Sequence, residues 1–339
     1  MMAPLLRKVL PWLVAVALLA FALRNVSFAA IGRQFVQANY ALIGLNVIVS
    51  GLAYLVRGKR WQQPLRALGY QPTVLRTTVA IQAGTIAGLA IVGTGELTRC
   101  ATLQRTDGVP MAQGIGSALG ERVLDLLMLV PLLGLAITLE LTRMTSLLAG
   151  FKLALPPFFA GWVVGGILVA GLLGFVVIRW AIRHPRVRQH PLFDTVMGIA
   201  KGLWQGFAAI RRLPSPAVFI GLTVLLQLLA WLSTYLMLLS LDSTRSLPPT
   251  SALTIMAISS IGSLLVPTQG GIGTYHFLVS RALVLYGFTT TEGAVVATFL
   301  HAVGFGINLL LSSLSFLILP SLIQRREMAM NQEVAKPTL

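Results

Sequence analysis

Acidic residues are scarce in this chain: ten Asp and Glu stand against 26 Lys and Arg in 339 residues, and charged types together make up only 11%. With 56% hydrophobic residues, so few charges cannot solvate the surface of a soluble domain, and an integral membrane protein follows. Cysteine is almost absent. Cys100 alone excludes an intrachain disulfide, and the few histidines show no ligand spacing with cysteine or carboxylate, so neither a metal nor another cofactor is expected. No GxxxxGK[ST] phosphate loop occurs, which removes direct ATP drive within this chain. Strand-type alternation is missing as well, leaving helices as the means of carrying backbone through hydrocarbon.

What is present is a series of apolar runs near the ~20 residues that a spanning helix needs. Six full spans are expected, at about 9–26, 35–56, 113–139, 158–179, 217–240 and 293–320. The first resembles a signal peptide and is read as an uncleaved helix because so many spans follow. The formal net charge of +16 does not indicate nucleic acid, because Lys and Arg fall mostly in connections between apolar runs, where they act as topology signals. Arg57, Lys59, Arg60, Arg66 and Arg76 follow the second span, and a second basic group, including Lys201, Arg211 and Arg212, follows the run at 158–179.

Both basic connections are assigned to the cytoplasm, and that fixes how the two remaining apolar stretches are read. If 74–94 crossed once, the second connection would fall on the wrong side, so 74–111 is read as entering and leaving on one face. The stretch 251–288 is then entered from the other face. Each is an apolar run, a Gly-rich break and a polar segment: IQAGTIAGLAIVGTGELTRC at 81–100 and ISSIGSLLVPTQGGIGTYHF at 258–277. The expected fold is therefore all-α and polytopic, with about six full transmembrane helices and two re-entrant helical hairpins arranged as an inverted repeat. Residues 1–326 form one transmembrane domain with an interfacial amphipathic helix at about 193–212, and 327–339 form a short, disordered tail. Both termini are placed in the cytoplasm.

Irregular backbone at membrane depth is tolerated where it is buried in protein or lines a wet cavity, so the breaks at Gly93–Gly95 and Pro267–Gly273 point to an internal cavity. Gly270, Gly271 and Gly273 allow the turn, and helix starts beyond each break can present N–H groups to an anion. Ionisable groups within spans are site candidates by default. Glu121 and Asp125 share a helix face at i, i+4, with Arg122 between them, and Glu96 and Arg99 follow the first break. Two readings of this cluster stand side by side: ion pairs that hold helices together, or Arg99 and Arg122 holding an anionic headgroup. His276 and His301 are either hydrogen-bonded core residues or titrating groups at the cavity. Arg281 either extends to the outer interface or contacts a headgroup there.

GTGELTR at 93–99, GERVLDLLML at 120–129 and PTQGGIGTYHF at 267–277 resemble the lysylphosphatidylglycerol synthase transmembrane-region family of flippase-like membrane proteins in bacteria and archaea. The resemblance implies a lipid-handling protein of the bacterial inner membrane, without the soluble aminoacyltransferase domain of the full synthase. It places Glu96, Arg99, Glu121, Arg122 and Asp125 at the family's polar positions. Tyr275-His276 and His301 stand where many members carry a glutamate and an arginine. The expected activity is movement of an anionic lipid between leaflets. A non-catalytic partner of a lipid-synthesis complex and an intramembrane headgroup-modifying enzyme are the alternatives. No catalytic motif speaks for the enzyme, and a homo-oligomer or a biosynthetic partner is compatible with the sequence.

Overall fold

The computed structural model describes residues 16–24, 26–91, 93–141, 143, 192–266 and 268–334. The described residues are mostly helical, with no strand among them. Its helices are α1 (Val16–Leu23), α2 (Phe28–Gln37), α3 (Tyr40–Ala67), α4 (Val74–Ala90), α5 (Thr94–Asp107) and α6 (Met111–Leu139). They continue with α7 (Leu192–Ala208), α8 (Pro216–Leu239), α9 (Thr250–Leu265), α10 (Thr274–Val284) and α11 (Thr290–Val334). The span expected at 158–179, the first part of that at 9–26, and Pro267 lie outside the described residues.

Among the described residues four helices are long and apolar enough to cross a membrane, namely α3, α6, α8 and the Thr290–Met328 part of α11, and the bent pair α1–α2 would make a fifth if it is one span. They correspond to four of the six expected spans, with shifted ends. The second begins at Tyr40, because Asn39 caps α3 by accepting from the Ala41 and Leu42 amides. The segment before it is the separate helix α2, capped by Ser27 and turned 85° from α1. α3 also runs on to Ala67, so Arg57, Lys59, Arg60 and Arg66 are helical and not in a connecting loop. At the other end of the chain, α11 continues to Val334, so residues 327–334 are helical where a disordered tail was expected.

Each odd apolar stretch folds as two helices joined by a break. In the first, α4 and α5 cross at glycine: a Cβ on Gly84 would lie 2.6 Å from the Gly95 carbonyl oxygen, and one on Gly95 2.9 Å from that of Gly84. Small residues at such a crossing let backbones touch where lipid offers no hydrophobic drive for association. In the second, α9 and α10 are joined through a 3-10 turn at Gln269–Gly271.

The two hairpins approach from opposite ends of the long helices. Along α11, Gly293 packs against Ser280 of α10, His301 bonds the Gly270 carbonyl, Asn308 and Ser312 meet Tyr54 of α3, and Arg326 bonds the Gln104 carbonyl of α5. α6 agrees. Its first residue follows the open end of the first hairpin, while Glu140 at its far end lies among Thr250 and Tyr286 of the second. Burial pushes the Glu140 carboxyl up, but hydrogen bonding with Thr250, Arg143 and Tyr286 outweighs it and holds the group below the usual carboxylate value. The tips meet beside α11, where a Cβ on Gly270 would lie 3.3 Å from Leu89 and 3.0 Å from Phe305.

α7 lies along the first half of α6. Gly202 and Gly206 face Ala112, Gln113 and Gly116, and Trp204 and Phe207 remain exposed on the apolar side of this amphipathic helix.

The glycine crossing gives a paired prediction. Gly84→Ala should lower stability by about 1–3 kcal/mol through overpacking against backbone. Gly88→Ala, whose new Cβ would have its nearest neighbour at 3.7 Å, should be tolerated. Thermal unfolding in detergent, followed by a thiol-reactive dye at the buried Cys100, distinguishes the two.

Candidate functional site

Charge is concentrated where α3, α5 and α6 meet. Glu121, on α6, is 2% exposed and sits between two guanidinium groups, with Arg60 Nε at 3.3 Å from one carboxylate oxygen and Arg99 Nη1 at 3.3 Å from the other. Arg60 also donates to Asp125 at 2.7 Å, one helical turn beyond Glu121, so the i, i+4 carboxylates are read together by one arginine from α3. Arg99 Nε pairs with Glu96 at 2.5 Å and lies over the Trp61 ring at 4.6 Å. Arg122 completes the chain, bonding Glu96 through Nε at 2.9 Å and Nη2 at 2.5 Å. Glu96, Arg99, Glu121, Arg122 and Asp125 are thus brought into one network.

Arg57 and Arg60, which by sequence read as topology charges after a span, join the site: Arg60 is a buried member of the network and Arg57 lines the adjoining cavity. The available signal was helical spacing: Arg57, Trp61 and Leu65 recur at i, i+4, continuing a helical face past the last apolar run.

The network forms one end of a cavity of about 920 Å³. Arg57, Arg60, Arg122 and Asp125 line that end, Leu126, Leu129 and Leu226 line the walls, and Ser259, Ser260 and Ser263 of α9 face them. Gly270 and Gly271 border it from the second hairpin, at φ of +56° and +80° that L side chains rarely adopt. A smaller cavity of about 170 Å³ lies under the first hairpin among Gly84, Gly88, Glu96 and Arg99, and shares Arg57 with the large one.

The two helix starts carry their own partners. Glu96 occupies the first turn of α5, where a carboxylate complements the helix dipole. At α10, Nδ1 of His276 accepts the Gly273 amide at 3.3 Å, so this ring closes the helix start. His276 is buried, and its ring centre lies 4.7 Å from that of His301. His301 Nε2 lies 2.8 Å from the Gly270 carbonyl, so the two rings hold the turn from both sides. His301 borders a cavity of about 240 Å³ with Tyr275 and Phe305. Arg281 stands apart, exposed on α10 with its guanidinium 5.8 Å from the Phe277 ring. Among the described residues no cluster of His, Cys, Asp and Glu is placed to hold a metal ion.

The family model for the lysylphosphatidylglycerol synthase TM region matches residues 8–312. The chain belongs to this family. It is a multi-pass membrane protein of that group, and the matched range takes in both hairpins, the charge network and the histidines. No curated protein and no solved structure matches it significantly.

Breaking a buried pair by removing one partner leaves the other charge uncompensated, at a cost of about 3–5 kcal/mol. Glu121→Gln should therefore destabilise strongly, and adding Arg60→Gln should cost less than the two single changes summed. A double-mutant cycle on Cys100 labelling melts checks this, since strict additivity would place the two residues outside one network.

Proposed function

We propose that this membrane protein moves a lipid with an anionic headgroup between leaflets, through the large cavity that the charge network and the tip of the second hairpin border. The observation that carries the reading is the cavity itself, whose lining combines three arginines and one aspartate with leucines of α6 and α8. Positive charge would hold the headgroup while the tails stay against apolar side chains. The broken helices support the same reading, because glycine backbone at the tip makes a wall that a headgroup can approach closely.

On this reading both hairpins are re-entrant, and the open end of the first one is cytoplasmic. Arg66, Arg76, Arg105, Arg325 and Arg326 gather at that end, in keeping with the excess of basic residues on the cytoplasmic face of a bacterial inner membrane. Both oxygens of Glu121 are engaged by arginines, which suits a structural or charge-balancing carboxylate better than a general acid.

The test is reconstitution in liposomes carrying fluorescent phosphatidylglycerol, with an impermeant quencher reporting the outer leaflet. Protein vesicles should expose the inner-leaflet probe faster than empty vesicles. No movement across a panel of headgroups would end the transport reading, and headgroup turnover lost in Glu121→Gln would replace it with an enzyme.

A further inference from the structure

Four guanidinium groups meet three carboxylates in the site, and the surplus can be assigned to one residue. Arg60 uses Nε and Nη1 on Glu121 and Asp125, and its side chain is 4% exposed. Arg99 is held by Glu96, Glu121 and the face of Trp61. Arg122 has Nε and Nη2 on Glu96. Among the described residues Arg57 alone of the four has no hydrogen bond or ion pair, and its side chain is open to the large cavity. Tyr54, one turn before it, is no substitute partner, because its hydroxyl is engaged by Asn308 and Ser312.

A guanidinium presents five donors in a planar fork that matches a phosphate in bidentate fashion. Leaving it unpaired in a low-dielectric cavity is costly, and one bound negative charge would complete the balance that the three carboxylates leave open. The other arginines are already oriented by protein partners, so they contribute field and not a free fork. We infer that Arg57 is the headgroup ligand of the cavity and that it selects lipids with a singly negative phosphodiester headgroup over zwitterionic ones. An ammonium brought in with the phosphate would meet Arg60 and Arg122 at the same end of the cavity, with Asp125 already claimed by Arg60. The leucine walls distinguish a lipid from a free phosphate ester, which would gain nothing from them. This rests on the cavity being a lipid site, as proposed above, and it does not require that the lipid be moved.

The experiment is native mass spectrometry of the purified full chain with added phosphatidylglycerol, phosphatidylcholine or soluble glycerol phosphate. Wild type should retain phosphatidylglycerol over phosphatidylcholine. Arg57→Gln should reduce that preference by about tenfold or more, as expected for loss of a charge-assisted hydrogen bond. Arg57→Lys should restore part of it, and Arg66→Gln, an exposed change on the same helix, should leave it intact. Cys100 labelling melts confirm that each variant is folded. Undiminished preference in folded Arg57→Gln would overturn the inference even if wild type moves lipid in vesicles. Equal displacement by glycerol phosphate and phosphatidylglycerol would overturn the lipid assignment. Loss of preference in Arg57→Gln alongside no transport by wild type would uphold the inference and remove only the transport reading.

Discussion

The buried Glu121 carboxylate is the group on which the rest of the site depends. Placed in a span, it would carry a heavy desolvation cost, which is offset only because α3 and α5 each deliver an arginine to it. Those arginines in turn engage Asp125 and Glu96, and Glu96 fixes Arg122. One carboxylate thereby ties the first hairpin to two long helices. The glycine crossing of α4 and α5 makes this geometry reachable, since Gly84 and Gly95 bring α5 close enough for Arg99 to reach inward.

The second hairpin is held differently. Its turn lacks charge, and two histidine rings bond the backbone groups that glycine leaves exposed. The large cavity takes its arginines from α3 and α6 and meets the second hairpin at serine hydroxyls and glycine backbone, with leucines of α6 and α8 also in its lining. A polar-headed, apolar-tailed molecule is the chemistry such a wall accommodates.

Much of this was legible in the sequence. Glu96, Arg99, Glu121, Arg122 and Asp125 stood out because charges within apolar runs are rare, and they cluster in space because α5 folds back on α4 beside α3 and α6. The glycine-rich breaks were legible for the same reason. Arg57 and Arg60 were not, because RGKRWQQPLRA at 57–67 is polar enough to read as a connection, whereas it is helical and partly buried against α4 and α6. Polar residues such as Gln62 and Gln63 are buried there against the direction that composition suggests. His276 was visible as a polar residue at a break, but its bond to the Gly273 amide depends on how the turn closes, which residue order does not specify.

The central claim is that two hairpins enter from opposite faces and that their tips meet beside the charged cavity. Single cysteines at the exposed positions Arg105 and Arg245, in a Cys100→Ser background, test it most directly. In oriented membranes, an impermeant thiol reagent should reach residue 105 from one side and residue 245 only from the other. Labelling of both from the same side would contradict the account.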